Sequence, residues 1–366
     1  MPRSASELEA AILADPDNGD AYLVYADWLQ AQGDPRGELI VLQHRGETDA
    51  VEALFDEHDA QFWGEVVVEE QDMLVRNRHC KLGPATEWRW GFLKSIWIGR
   101  TSPDGTNVDT VLAALLDHPS ARFVRELTAG ICSYEHNDYV GVAQVIGARS
   151  LPTLRQLILG DFFYEQTELN WSDAGDLGVA WHGVPNLESL TVRSGAMKLG
   201  ALDNLSKLRE LVIITGGFDA GSMASICSAR WPVLERLNVQ LGRDHVFTPA
   251  ELAPILDGKQ FPALRHLGLG NSRELDTICA ALANSKIAAQ LETLDLSKGT
   301  LGDAGAAALA SGAFPKLVSI DVSENYLTDR GLGDLKRLVK TVISQGREPQ
   351  RDDGGDPDDR YIAAYE

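Results

Sequence analysis

The sequence predicts an α/β fold: a curved parallel sheet of tandem units with helices on its convex side, preceded by a small helical domain. The first observation is the stretch FPKLVSIDVSENYLTD, where Leu317, Ile320, Val322, Asn325 and Leu327 stand at spacings of 3, 2, 3 and 2. The period of 2 fits a short strand, and the Asn marks the turn that ends it. The second is recurrence. The frame returns at Leu291/Leu294/Leu296, Leu264/Leu267/Leu269, Leu234/Leu237/Val239, Leu208/Leu211/Ile213, Leu187/Leu190/Val192 and Leu154/Leu157/Leu159, with weaker copies at Val124/Leu127/Ala129 and Leu93/Ile96/Ile98. First positions lie 31, 30, 33, 21, 26, 30, 27 and 26 residues apart, enough for a strand plus a helix. The third is proline at 152, 185, 232, 262 and 315, two residues before the first frame position. Proline cannot continue a helical ladder, so it ends one helix and launches the next strand.

At the N-terminus, SASELEAAIL sets Leu8, Ala11 and Ile12 on one helical face, with Ser4 and Glu7 as a capping box. Asp15-Pro16-Asp17-Asn18-Gly19 breaks this helix. A second helix over 20–32 buries Tyr22, Leu23, Ala26 and Leu29 and stops at Gly33; Asp34-Pro35 opens a third through Gln43. Trp28 and Tyr25 read as packing residues, and Arg36 as the partner of a nearby acid. Residues 51–62 read as a helix, Gly64 to Val68 as a strand, and 71–84 are ambiguous, with Arg76, Arg78 and Lys81 near Cys80. This joining region is expected to cap the open edge of the first unit.

The run ILADPDNGDAYLVYADWLQAQGDPRGELIVLQ over 12–43 resembles the N-terminal repeat-companion domain of large-genome bacteria, marked by DP, YADWL and GDPRGE. The likeness continues more loosely through EALFDEHDAQFWGEV and WRWGFLKSIWI. Such domains usually precede repeats and carry no assigned catalytic activity, so the resemblance implies architecture rather than chemistry. The frame itself resembles the leucine-rich repeat, and the long helical units its ribonuclease-inhibitor type. Helix-like spacing over 109–117, 223–229, 277–283 and 303–310 agrees with that. A sheet of strands backed by wider helices curves into an arc. One departure is that only the last copy carries the usual Asn; Gly195, Gly216, Gly242 and Gly299 stand there elsewhere, so the asparagine ladder is expected to be weak. The implied organisation is a helical companion domain (1–46), a joining region (47–86), a leucine-rich-repeat solenoid of about nine units (87–345) and an acidic disordered tail (346–366), whose Tyr361, Ile362 and Tyr365 either dock on a partner, fold back or stay loose.

Composition limits function. There are 54 acids against 33 bases, a net charge of −21, which disfavours nucleic acid and anionic membrane as partners. Cys80, Cys132, Cys227 and Cys279 lie far apart without CxxC pairing, which fits a reducing compartment. Neither a leader nor a membrane-length apolar run is present, so a cytoplasmic protein is expected.

In this frame the leucines point inward and the residues between them outward. The outward positions nominate Trp97, Glu126, Ile158, Arg193, Val212, Ile214, Arg236, Asn238, Gln240, His266, Asp295 and Asp321 as a concave binding face. Trp97, Ile158, Val212 and Ile214 are expected to be exposed apolar anchors for a protein or peptide, grading into basic and then acidic positions. The expected function is a non-enzymatic protein-recognition scaffold with no catalytic residues, metal or cofactor. One alternative is a cysteine-dependent hydrolase or toxin-like effector using the Cys132–His136 loop, where Asp138 could also join as a metal ligand. Another is an architectural or self-associating protein. Phosphate-loop, nucleophile-elbow and H-E-x-x-H patterns are absent. Oligomeric state and partner identity are not legible.

Overall fold

The computed structural model describes residues 4–74, 82–103, 105–346 and 362. These form two compact units: the first takes in Met1–Glu135, Gly141–Gln166 and His182–Asn186, the second His136–Val140, Thr167–Trp181 and Leu187–Glu366.

The first unit opens with α1 (Ala5–Ala14), capped by Ser4 in a full capping box with Glu7 and burying Leu8 and Ile12. Next come α2 (Gly19–Ala31), capped by Asn18, and α3 (Arg36–Arg45). Gly33, at φ 75°, makes the turn between them. After α4 (Thr48–Trp63), the segment expected to be a strand is instead a short helix, α5 (Glu65–Glu69). Val67 and Val68 donate back to Gly64 O at 3.1 Å, a helical turn that satisfies their amides without a partner strand. Half of the ambiguous stretch, 75–81, lies outside the described residues, including Arg76, Arg78, Cys80 and Lys81.

The first unit's sheet holds β1 (Glu87–Arg89), β2 (Phe92–Ile98), β3 (Glu126–Ala129) and β4 (Gln156–Leu159), with α6 (Val108–Asp117) and α7 (Val140–Gly147) between the later strands. β2, β3 and β4 are parallel and aligned as the frame requires, Trp97↔Thr128↔Ile158. The antiparallel β1 takes the outer edge of β2. The N-terminal helices are bolted to these strands by aromatic packing and ion pairs. Phe92 meets Phe123 at 4.7 Å and stacks on Tyr25 at 6.1 Å. Asp17 receives Arg125 at 2.8 Å and Arg89 at 3.0 Å, and Glu9 pairs with Arg122.

The second unit begins its regular strands with β5 (Asp173–Asp176), β6 (Ser189–Arg193), β7 (Ala196–Lys198) and β8 (Glu210–Ile214). Then strand and helix alternate: α8 (Ala220–Ser228), β9 (Arg236–Val239), α9 (Ala253–Asp257), β10 (His266–Gly268), α10 (Leu275–Ala283), β11 (Thr293–Asp295), α11 (Asp303–Ala310), β12 (Ser319–Asp321), α12 (Asp329–Leu338) and β13 (Thr341–Ile343). Its parallel sheet runs β6-β8-β9-β10-β11-β12-β13. Ser189, Glu210, Arg236, His266, Thr293, Ser319 and Thr341 share one register row. The frame leucines point into the core: Leu190, Leu211 and Leu237 are fully buried. A second, two-stranded sheet pairs β5 with β7.

Asn325 holds the last turns together, donating to Leu296 O at 2.8 Å and to Val322 O and Ser323 O at 3.1 Å, while accepting from Leu301 N at 2.9 Å. In three copies without this Asn, where Gly216, Ser272 and Gly299 stand, a neighbouring side chain takes over. Thr215 Oγ1 donates to Gly195 O at 2.7 Å, Asn271 Nδ2 to Thr215 O at 3.1 Å, and Thr300 Oγ1 to Arg273 O at 2.7 Å. The tie is shifted by a residue rather than lost.

Candidate protein-recognition surface

In the first unit the outward row is closed. Trp97 is 1% exposed and Ile158 2%, contrary to the expectation that both stand free. The cause is residues 82–86, which cross the face of the strands like a strap. Thr86 Oγ1 accepts from Trp97 N at 2.9 Å, Ser95 Oγ donates to Ala85 O at 2.6 Å, and Leu82 N donates to Asp161 Oδ1 at 2.7 Å. Asp161, fully buried, also accepts from Trp97 Nε1 at 2.9 Å. The indole reaches it across the third outward row. A Cβ on Gly130 would lie 2.6 Å from the Trp97 ring, so only glycine fits beneath it. Glu126, in the first row, is half-buried with Lys94 Nζ 4.0 Å away.

The second unit keeps its outward rows accessible. β8 alternates buried and half-exposed along its length, so Val212 and Ile214 stand out between inward Leu211 and Ile213. Arg193 occupies the position beside Ile214 and is half-buried. Arg236, with 44% of its side chain exposed, pairs with Glu210 at 3.2 Å, and Ser189 Oγ donates to the same carboxylate at 3.1 Å. His266 Nδ1 lies 2.8 Å from Thr293 Oγ1. Desolvation, reinforced by the Arg236 guanidinium, holds the His266 imidazole below its ordinary range, so it is neutral at neutral pH.

Asn238 Nδ2 reaches over β10 to Asp295 Oδ2 at 3.0 Å. The bridge exists because the intervening residue is Gly268, whose added Cβ would sit 2.4 Å from Asn238 Oδ1. Asp295 Oδ1 also accepts from Ser297 N at 3.0 Å, and Asp321 Oδ1 from Ser323 N at 2.9 Å. These two acids therefore hold their own strand ends as well as facing outward. Gln240 Oε1 is buried and takes no hydrogen bond among the described residues.

Cys132 is half-buried, with Sγ 4.0 Å from Gly130 O, and His136 is exposed; they belong to different units. Cys227 and Cys279 are buried in α8 and α10. Burial pushes the Cys227 thiol up to about 11 and the Cys279 thiol higher still, which makes both poor nucleophiles. Among the described residues no group of three or more His, Cys, Asp or Glu is placed to hold a metal ion, and no helix is long and apolar enough to cross a membrane.

The strap and the Trp97–Asp161 bond escaped sequence reasoning, although a signal was present. Gly99, Gly130 and Gly160 fill the third outward row beside the first three frame strands, room that a large ring lying across them requires.

No family model matches the chain, and no curated protein matches it. A solved structure of a protein from Bacteroides fragilis is similar at a TM-score of 0.59 and 25% identity, over 68% of this chain and 74% of that one. An internalin from Listeria monocytogenes aligns over 68% of this chain and 86% of its own, at 13% identity and a TM-score of 0.22, a likeness too slight to weigh.

Proposed function

We propose that the chain is a leucine-rich-repeat solenoid of the ribonuclease-inhibitor type, fronted by a helical repeat-companion domain. On this proposal it is a cytoplasmic, non-enzymatic scaffold that binds a protein or peptide and needs no metal or cofactor. The domain limits follow the sequence pattern: 1–46, 47–86, 87–345 and 346–366. The binding face is the outward surface of β8 to β12, not that of β2 to β4. The observation that carries this is the fixed, mixed-chemistry row on that surface. Val212 and Ile214 offer apolar contact, Arg236 and His266 offer donors, and the Asn238–Asp295 bridge holds two polar side chains in place before anything binds. Groups already held in position lose little freedom on binding, so contact converts more fully into affinity.

Affinity purification with wild type and with Val212→Asp/Arg236→Glu tests this. The double variant is expected to lose the partners that wild type recovers, while Glu57→Gln, an exposed change on α4, recovers them normally. Equal recovery by the double variant would remove the β8–β12 face as the binding site.

A further inference from the structure

A second surface lies outside the strand rows, where residues 136–140 meet 167–173. Asn137 and Ser172 pair as a parallel bridge, and both side chains are buried, at 1% and 2% exposure. Asn137 Nδ2 donates to Ser172 Oγ at 3.2 Å and to Tyr139 OH at 3.0 Å, and Asp173 N donates to Asn137 O at 3.0 Å. Ser172 Oγ also meets Ser194 Oγ at 2.9 Å. The chain neighbours of this buried pair are more open: His136 and Trp171 are exposed, and Asp138 and Asp173 are half-buried. His136 and Trp171 stand on one side of it, Asp138 and Asp173 on the other, on backbones about 4.8 Å apart.

Trp171 is 69% exposed, although Ser172 next to it and Leu169 two residues before it are 2% and 3% exposed. Its exposure is therefore presented by a pinned backbone. Large aromatic side chains normally gain by burial, and an indole held in water on a fixed support is the kind of anchor a partner covers. The two segments that form it carry charge of one sign, and the cation of the adjoining strand β7, Lys198, stands opposite Asp176, at the other end of β5 from Asp173. Residues 136–140 and 167–181 contain Asp138, Glu168, Asp173 and Asp176 and neither Lys nor Arg. Asp138 Oδ1 accepts from Val140 N at 3.0 Å and Asp173 Oδ1 from Gly175 N at 2.9 Å; each second oxygen takes no hydrogen bond among the described residues.

We infer that this surface docks a basic segment of a partner protein, with an Arg or Lys side chain laid on the Trp171 ring and its N–H groups directed at Asp138 and Asp173. The ring face attracts a cation, and a guanidinium can stack and donate to carboxylates together. The same acids repel anionic headgroups, and the net charge of −21 repels a second copy of the chain. This docking is independent of the β8–β12 proposal.

The test is calorimetric titration of the full chain with an octa-arginine peptide at low salt. Trp171→Ala is expected to weaken binding about five- to tenfold, the range for a partly desolvated cation–π contact. Trp171→Phe should keep most of the affinity. Asp138→Asn/Asp173→Asn, which preserves both turn acceptors, should weaken it at least as much as Trp171→Ala. A charge-matched control, Asp56→Asn/Asp59→Asn on α4, should change it less than twofold. Equal binding by Trp171→Ala, or equal loss in the control, would mean diffuse charge attraction and overturn the inference. So would Trp171-dependent binding to phosphatidylglycerol vesicles, or Trp171-dependent self-association in sedimentation.

Discussion

Arg36 is 4% exposed, donating to Asp34 Oδ2 at 2.8 Å and to Ser120 Oγ at 3.3 Å, while its Nε has no partner among the described residues. A buried guanidinium is tolerated only while its counter-charge is present. Asp34→Ala should therefore lower stability by about 3 kcal/mol, read as a shift in urea midpoint at constant slope. The pairing of Arg36 with a nearby acid was legible because the two lie two residues apart; Ser120, far along the chain, was not. Asp17 gives a pH-dependent case. Its carboxyl is held below the usual range chiefly by the Arg125 hydrogen bond, with Arg89 assisting. A lowered native value adds stability above the ordinary carboxylate range and loses it as pH falls through the native value. Because Asp17 is 61% exposed at its side chain, Asp17→Asn should cost under about 1 kcal/mol at pH 7. That difference should fade by the acid end of a urea series run from pH 7 to 2.

At the scale of elements, the frame told which residues form strands and which side chains turn inward, because periodicity is a local property that packing here left intact. It could not tell what lies over a strand. The strap that closes β2 to β4 comes from residues 82–86, whose sequence has no periodicity, and its anchor Asp161 is 79 residues from Leu82. The short helix α5 was misjudged for a related reason: three valines favour a strand only when a neighbouring strand is there to pair with them. The β5–β7 ribbon was missed because β5, Asp-Ala-Gly-Asp, has no strand-forming side chains and β7, Ala-Met-Lys, is too short to show alternation. Asp161→Ala should free the strap, since it removes the acceptor for both Leu82 N and Trp97 Nε1. Amide exchange over 95–98 should then accelerate while that of β8 and β9 stays unchanged. Unchanged exchange over 95–98 would show that Asp161 does not hold the strap.

Across the whole molecule, one repeated frame produces two kinds of surface. In the first unit the outward residues became an interior, so Trp97 and Ile158 packed where sequence alone suggested an open anchor. In the second unit they stayed at the surface, and Val212, Arg236, Asn238, His266 and Asp295 occupy the rows that the spacing assigned to them. Register was fully legible and accessibility was not, because accessibility depends on segments outside the frame. The direct measurement is thiol labelling of single-cysteine variants in a background whose native cysteines are replaced. Val212→Cys and Arg236→Cys should react within about tenfold of a free thiol. Thr128→Cys and Ile158→Cys should react roughly a hundredfold more slowly, as the inward control Leu211→Cys does, because their labelling waits on local opening. Fast labelling at 128 and 158, or protection at 212 and 236, would contradict the division into a closed face and an open one.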